Sequence, residues 1–304
     1  YLMAYPVYSP AELDSIKVIH HEPRTLADKW ARWLVKTARW GFDLVSGYKV
    51  RFSCLPRAPN LSLQELRDQG YLMKRDDWML RILFLESIAG VPGFTAAMLR
   101  HLRSLRLMRR DGGALMPSIS CCSNRQQLTL RLAQIRGPSP LFRLMVLGAQ
   151  GVFTNLFFLS YLVSPKSCHR FVAYLEEEAV YTYTGLVKAL ERGEVPEWAP
   201  GKQQVPNIAK QYWRLSDDAT MLDLVRNVRA DEAGHRFVNH TLGNLEPDDL
   251  NPTSFKHASA TVQGTQAGFS REESIAWAKQ VEEEMTSAKR HGEEEMRRLE
   301  EAAK

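Results

Sequence analysis

The chain has 304 residues, enough to bury a sizeable core, with 44% apolar and 25% charged residues and a formal net charge of +5. This is the composition of a folded soluble or peripheral membrane protein. No RNA- or DNA-binding motif accompanies the charge, so nucleic acid is set aside as a partner. The charge is unevenly spread: from Ser87 to Leu175 there are 11 Arg or Lys and one acid, Asp111. Such a block suits anionic lipid headgroups or an acidic protein partner. The four cysteines (Cys54, Cys121, Cys122, Cys168) lack C-x-x-C spacing and are expected to be reduced thiols. The chain opens on Tyr1 rather than Met, which leaves room for a targeting segment upstream.

Residues 1–24 read as an irregular arm, with a short helix starting at Ser9-Pro10, where Ser caps and Pro takes the first helical position. A long helix follows from Thr25 to about Val45. It places Trp30, Trp33, Leu34, Thr37, Ala38, Phe42 and Leu44 on one broad face, with Lys29, Arg32, Lys36 and Arg39 around it. That pattern fits an in-plane interfacial helix and equally a surface helix packed on its own core. A second long helix is expected from about Arg75 to Leu107, kinked near Gly90-Val91-Pro92-Gly93, because Pro92 removes a helical hydrogen bond. A third should cover about Leu115–Arg136 and stop at Gly137-Pro138.

Leu144 to Pro165 carries no charge and is long enough to cross a bilayer, yet Gln150, Thr154, Asn155 and Ser160 lie inside it. A monotopic helix lying in one leaflet accounts for this run and the Trp-rich helix together; a single span is the alternative. Further helices fit Cys168–Arg192 and about Asp217–Leu242, joined by a connection rich in Pro, Gly and Trp (Gly193–Leu215). Ser270-Arg-Glu-Glu273 has the capping-box pattern and opens a heavily charged helix running to Lys304, read as solvated or as a docking arm. No strand-like alternation appears, so the fold class is all-α.

Three motifs carry chemistry. Glu86 lies in R-I-L-F-L-E-S, Glu176 in Y-L-E-E-E-A, and Glu232 and His235 in R-A-D-E-A-G-H-R. At i, i+3 the last two share a helical face, so a carboxylate and an imidazole can meet one ion. In this order the three motifs resemble the alternative oxidases, membrane-bound di-iron ubiquinol oxidases, over about residues 15–250. The resemblance implies a ferritin-like four-helix di-iron-type bundle with added monotopic membrane-associating helices. It divides the chain into an arm (1–24), a bundle (25–250), and a linker with a charged C-terminal helix (251–304). It also implies that Glu86, Glu176, Glu232 and His235 are metal ligands, with Tyr183 beside them and a quinone pocket formed by Arg81, Leu85, Leu175, Ala179, Thr182 and Tyr183.

Two further ligands are expected from an N-E-R-M-H-L motif, where this chain reads Asn124-Arg125-Gln126-Gln127-Leu128-Thr129. Arg125 stands in place of the Glu and Leu128 in place of the His, and no Glu occurs anywhere between Glu86 and Glu176. A guanidinium at Arg125 would replace metal charge among buried carboxylates by fixed side-chain charge. The expectation is therefore a pseudoenzyme: an inactive homologue without a di-iron centre, holding at most one iron at Glu176, Glu232 and His235, and able to bind ubiquinone or lipid. It would act as an accessory subunit of a respiratory complex or supercomplex on the matrix side of the mitochondrial inner membrane. The alternative is an active ubiquinol oxidase or a mononuclear-metal oxidoreductase of the same family.

Overall fold

The computed structural model describes residues 7–45, 62–107, 140–246, 248–254 and 256–302, apart from a few side chains within those ranges. They form helices α1 (Pro10–Ser15), α2 (Leu26–Val45), α3 (Leu63–Asp68), α4 (Arg75–Ser104), α5 (Pro140–Val163) and α6 (Pro165–Glu191), then α7 (Asn207–Trp213), α8 (Met221–Asn244), α9 (Ala260–Thr265) and α10 (Arg271–Ala302). No strand occurs among the described residues, so the all-α expectation holds. The helix expected over 115–136, with Arg125 and Leu128, lies outside them.

Local chemistry sets the helix ends. Ser9 accepts from the Glu12 backbone N–H and the Glu12 side chain accepts from the Ser9 N–H, so both halves of a capping box start α1, with Pro10 at its first position. Ser270 and Glu273 exchange the same pair of bonds at the head of α10. Thr220 and Asp223 do so for α8, which is why that helix begins after Thr220 rather than at Asp217. The expected break near Gly90 is absent as a break: α4 runs through Pro92, with Val91 and Pro92 buried. The Pro- and Trp-rich connection holds α7 and a 3₁₀ turn at Pro196–Trp198, because Trp198 and Trp213 are buried in the main core and order the chain between them.

The long helices α6 and α8 pack along their length and form the centre of the molecule, with α2 on the outer side of α6. The largest core cluster joins Trp78, Met79, Ile82 and Leu83 of α4 to Tyr183, Leu186 and Val187 of α6 and to Leu224, Val225 and Val228 of α8. A second cluster seats α5 on α4 and α6 through Leu99, Phe157, Tyr161 and Val172.

Two helices show apolar surface outward. In α2 the inward side is narrow (Ala31 and Val35), whereas Leu26, Trp30, Trp33, Trp40 and Leu44 are exposed, with the rings of Trp30 and Trp33 stacked at 4.9 Å. At about 100° per residue these five fall on one face. The α5 stretch Val146–Val163 has the length and composition to cross a membrane, and only 11% of it is buried. Its polar residues are satisfied within the helix: Asn155 donates to the Gly151 carbonyl (2.8 Å) and Ser160 to the Leu156 carbonyl (2.7 Å). That lowers the cost of placing them in an apolar medium.

Candidate metal centre

The run Glu176-Glu177-Glu178 shows how α6 organises the interior. Consecutive helical residues point about 100° apart, so three adjacent carboxylates must find three different surroundings. Glu176 turns toward α8, where its carboxylate, that of Glu232 and the His235 imidazole bring ligand atoms within 4.8 Å of one another. Both carboxylates are nearly fully buried; the His235 side chain retains 23% exposure. His235 Nδ1 lies 3.6 Å from Glu232 Oε2, as the i, i+3 spacing requires.

Glu177 turns to the N-terminal arm. It meets His240 Nε2 (2.8 Å) and His20 Nδ1 (2.9 Å) and accepts from the His21 backbone N–H (2.8 Å). His240 Nδ1 lies 2.7 Å from an Arg170 guanidinium nitrogen, and Arg170 pairs with buried Asp28 at 2.7 Å and donates to Asn244. Burial works to raise Glu177, but the bonds from His240, His21 and His20 outweigh it and leave the carboxyl below its usual range. Glu178 turns to α2 and pairs with Arg39, which also reaches Asp43 (3.5 Å).

The remaining expected site residues lie close by. Glu86 is buried on α4, and Tyr183 on α6 donates to its Oε1 at 2.7 Å. Arg81 is buried and donates to Asp43 (2.7 Å), which ties it to α2. Ala179 and Thr182 are buried on α6, and the Thr182 hydroxyl donates to the Glu178 carbonyl. Leu85 packs on the main core and Leu175 on the α2 cluster, so the six expected quinone-pocket residues line up along α4 and α6 beside the carboxylates. The Glu177–His240–Arg170–Asp28 network was missed from sequence, although the triple Glu signalled that two carboxylates needed partners other than an ion. A second missed group is Asp231, which accepts from Tyr8 (2.5 Å) and Trp213 (3.2 Å) immediately before Glu232.

Two carboxylates and an imidazole at one point suit a single divalent first-row metal. A carboxylate-bridged pair needs more: a Glu from each of two helices and a Glu-x-x-His pair from each of the other two. Among the described residues there is one such cluster, with Glu86 as the further carboxylate. The donors present fit one ion and not two.

The family model for the alternative oxidases matches residues 8–244. The chain is 44% identical over 290 residues to a protein named "Alternative oxidase, mitochondrial" from Cryptococcus neoformans, covering 94% of this chain and 72% of the relative. It is 44% identical over 279 residues to the protein of that name from Emericella nidulans (91% and 75% covered), and 43% identical over 278 residues to that from Aspergillus niger (91% and 76%). The chain belongs to the alternative oxidase family. Membership makes the di-iron centre the reference for this site, and Glu86, Glu176, Glu232, His235 and Tyr183 stand together around it as the motifs implied.

Proposed function

We propose that this alternative oxidase homologue does not reduce oxygen at a di-iron centre and serves as a structural, accessory subunit of a respiratory assembly. The observation that carries the reading is the donor count: Arg125 and Leu128 stand where a Glu and a His are needed, and residues 87–175 contain no Glu that could substitute. The Glu176, Glu232 and His235 cluster then holds at most one ion, and a bound ion there would supply Lewis-acid charge between two buried carboxylates. The protein's own groups position one another: Tyr183 orients Glu86, and the Asp231 contacts fix the start of the Glu232 turn. The relatives' names support a mitochondrial location. The outward apolar faces of α2 and α5 support attachment to one leaflet, which we place on the matrix side of the inner membrane. Ubiquinone or a lipid is the ligand proposed for the Arg81–Tyr183 region.

The second reading is an active ubiquinol oxidase or a mononuclear-metal oxidoreductase, favoured by the intact three-donor cluster and the relatives' names. Iron analysis of the purified protein, with quinol oxidation measured on the same sample, separates the two. At most one metal per chain with no quinol-dependent oxygen uptake is expected; two irons per chain with turnover would overturn the proposal. Peptide mapping across Arg125–Leu128 of the natural protein belongs to the same experiment. Co-purification with respiratory subunits from mild-detergent membranes tests the accessory role, which migration solely as a free monomer or homodimer would reject.

A further inference from the structure

The segment after α8 folds back onto that helix one residue from His235. A Cβ added at Gly234 would meet Gln263 Oε1 at 2.7 Å, so side chain and helix backbone are already in contact there. Gln263 in turn donates from Nε2 to the Ala258 carbonyl (2.7 Å), and Trp277 donates to the Lys256 carbonyl (3.2 Å). These two bonds pin the backbone on either side of His257. The His257 Nε2 atom is buried and has no hydrogen-bond partner. A buried imidazole nitrogen left unsatisfied carries a desolvation cost, so a position built to hold one calls for a reason. Burial, and then the neighbouring His235 imidazole, hold His257 below the usual histidine range and keep it neutral, with one ring nitrogen available as an acceptor.

We infer that His257 is a positioning residue for the single-ion site, taking the outward ring N–H of His235 when a divalent metal draws the inward nitrogen toward Glu176 and Glu232. Metal-bound histidines almost always donate their second ring N–H to an acceptor, which fixes the tautomer and raises ligand basicity. His235 Nδ1 faces Glu232, so the outward nitrogen is Nε2. Nothing in the three sequence motifs points to His257, because it lies beyond the bundle and reaches the site only through the fold-back at Gln263. The inference rests on the one-ion reading of the cluster.

The test is titration of the metal-free, full-length protein with Co²⁺, read by visible absorption, and with Zn²⁺, read by calorimetry. His257→Ala should weaken binding 10- to 100-fold and change the Co²⁺ spectrum, and His257→Gln, which keeps an acceptor, should recover part of both. Circular dichroism of the metal-free variants should match the parent, which separates positioning from folding. Equal affinity and an unchanged spectrum in His257→Ala, with the parent binding one ion, would overturn this inference and leave the one-ion site standing. If the parent takes up no Co²⁺ or Zn²⁺, both fall. Glu232→Ala, expected to abolish binding, confirms that the titrated site is the one described.

Discussion

The Tyr183 hydroxyl on α6 donates to Glu86 on α4 at 2.7 Å, closing the interior where the two helices meet the main core. Both side chains are 2% exposed, so this bond forms out of reach of bulk water. Hydrogen bonds to buried charged groups contribute about 1.5–3 kcal/mol. Tyr183→Phe is therefore expected to destabilise the fold by about that amount in urea denaturation, with unchanged helical content. A loss below about 0.5 kcal/mol would mean that Glu86 is held as well without it.

Restoring the absent donors is the converse test of the reduced centre. The double variant Arg125→Glu with Leu128→His should raise the iron content from at most one to two per chain, read by elemental analysis. An unchanged count would reject the placement of those two positions at the centre.

Acid stability should follow the histidines beneath the N-terminal arm. Burial, then the Arg170 guanidinium and the His240 imidazole, bring His21 down to about 4, and burial also lowers His240. The groups facing them are His20, Asp28, Arg170, Tyr174 and Glu177. For a base depressed on folding, the unfolded chain takes up the proton first. This stabilisation is complete above about 6.5, the unperturbed histidine value, and drains as pH falls toward 4. Glu177, a carboxyl depressed on folding, adds a loss only below its ordinary value. The urea midpoint should thus fall between pH 7 and 5, and His21→Phe should flatten that slope. A midpoint constant over the interval would contradict the network.

Membrane attachment should depend on the outward tryptophans. Trp30, Trp33 and Trp40 are 61%, 53% and 68% exposed, so replacing all three by Ala removes little from the core. A fully buried large apolar side chain is worth about 1.5–3 kcal/mol, so the triple variant should bind vesicles of mixed neutral and anionic phospholipid at least about tenfold more weakly. Flotation assays measure this, and equal flotation would move the contact to another face.

The far part of α10 should be dispensable for folding. Val281 is its last buried residue, and every described side chain from Glu282 to Arg298 is exposed. Truncation after Ser287 is expected to change stability by less than about 0.5 kcal/mol. A larger loss would show that the extension packs on the body.

Helix starts were legible because their causes are local: Ser9-Pro10 and Ser270 with Glu273 announce themselves within four residues. The metal cluster was legible because Glu232 and His235 share a turn and the motif around Glu176 is distinctive. What stayed hidden depends on contacts distant in sequence. Glu177 and His240 are 63 residues apart, and Tyr8 and Asp231 are 223 apart, so neither segment alone records the pairing. The α2 helix was half legible: its tryptophans marked an apolar face, but only packing showed that Ala31 and Val35 face inward and the tryptophans outward. The α7 and α9 helices escaped because they are six or seven residues long, too short to show periodicity, and are ordered by what they pack against.

Arg236, fully buried on α8, donates to the Lys17 carbonyl of the arm and to the Gln263, Gly264 and Gln266 carbonyls of the segment after α8. The two segments are also joined directly, Lys17 N–H to the Gly264 carbonyl at 3.0 Å. An early part of the chain is thus finished by a late one. On a ribosome the arm cannot acquire its full set of partners until residue 266 has emerged, so the order of synthesis and the order of assembly run in opposite directions at this end of the molecule.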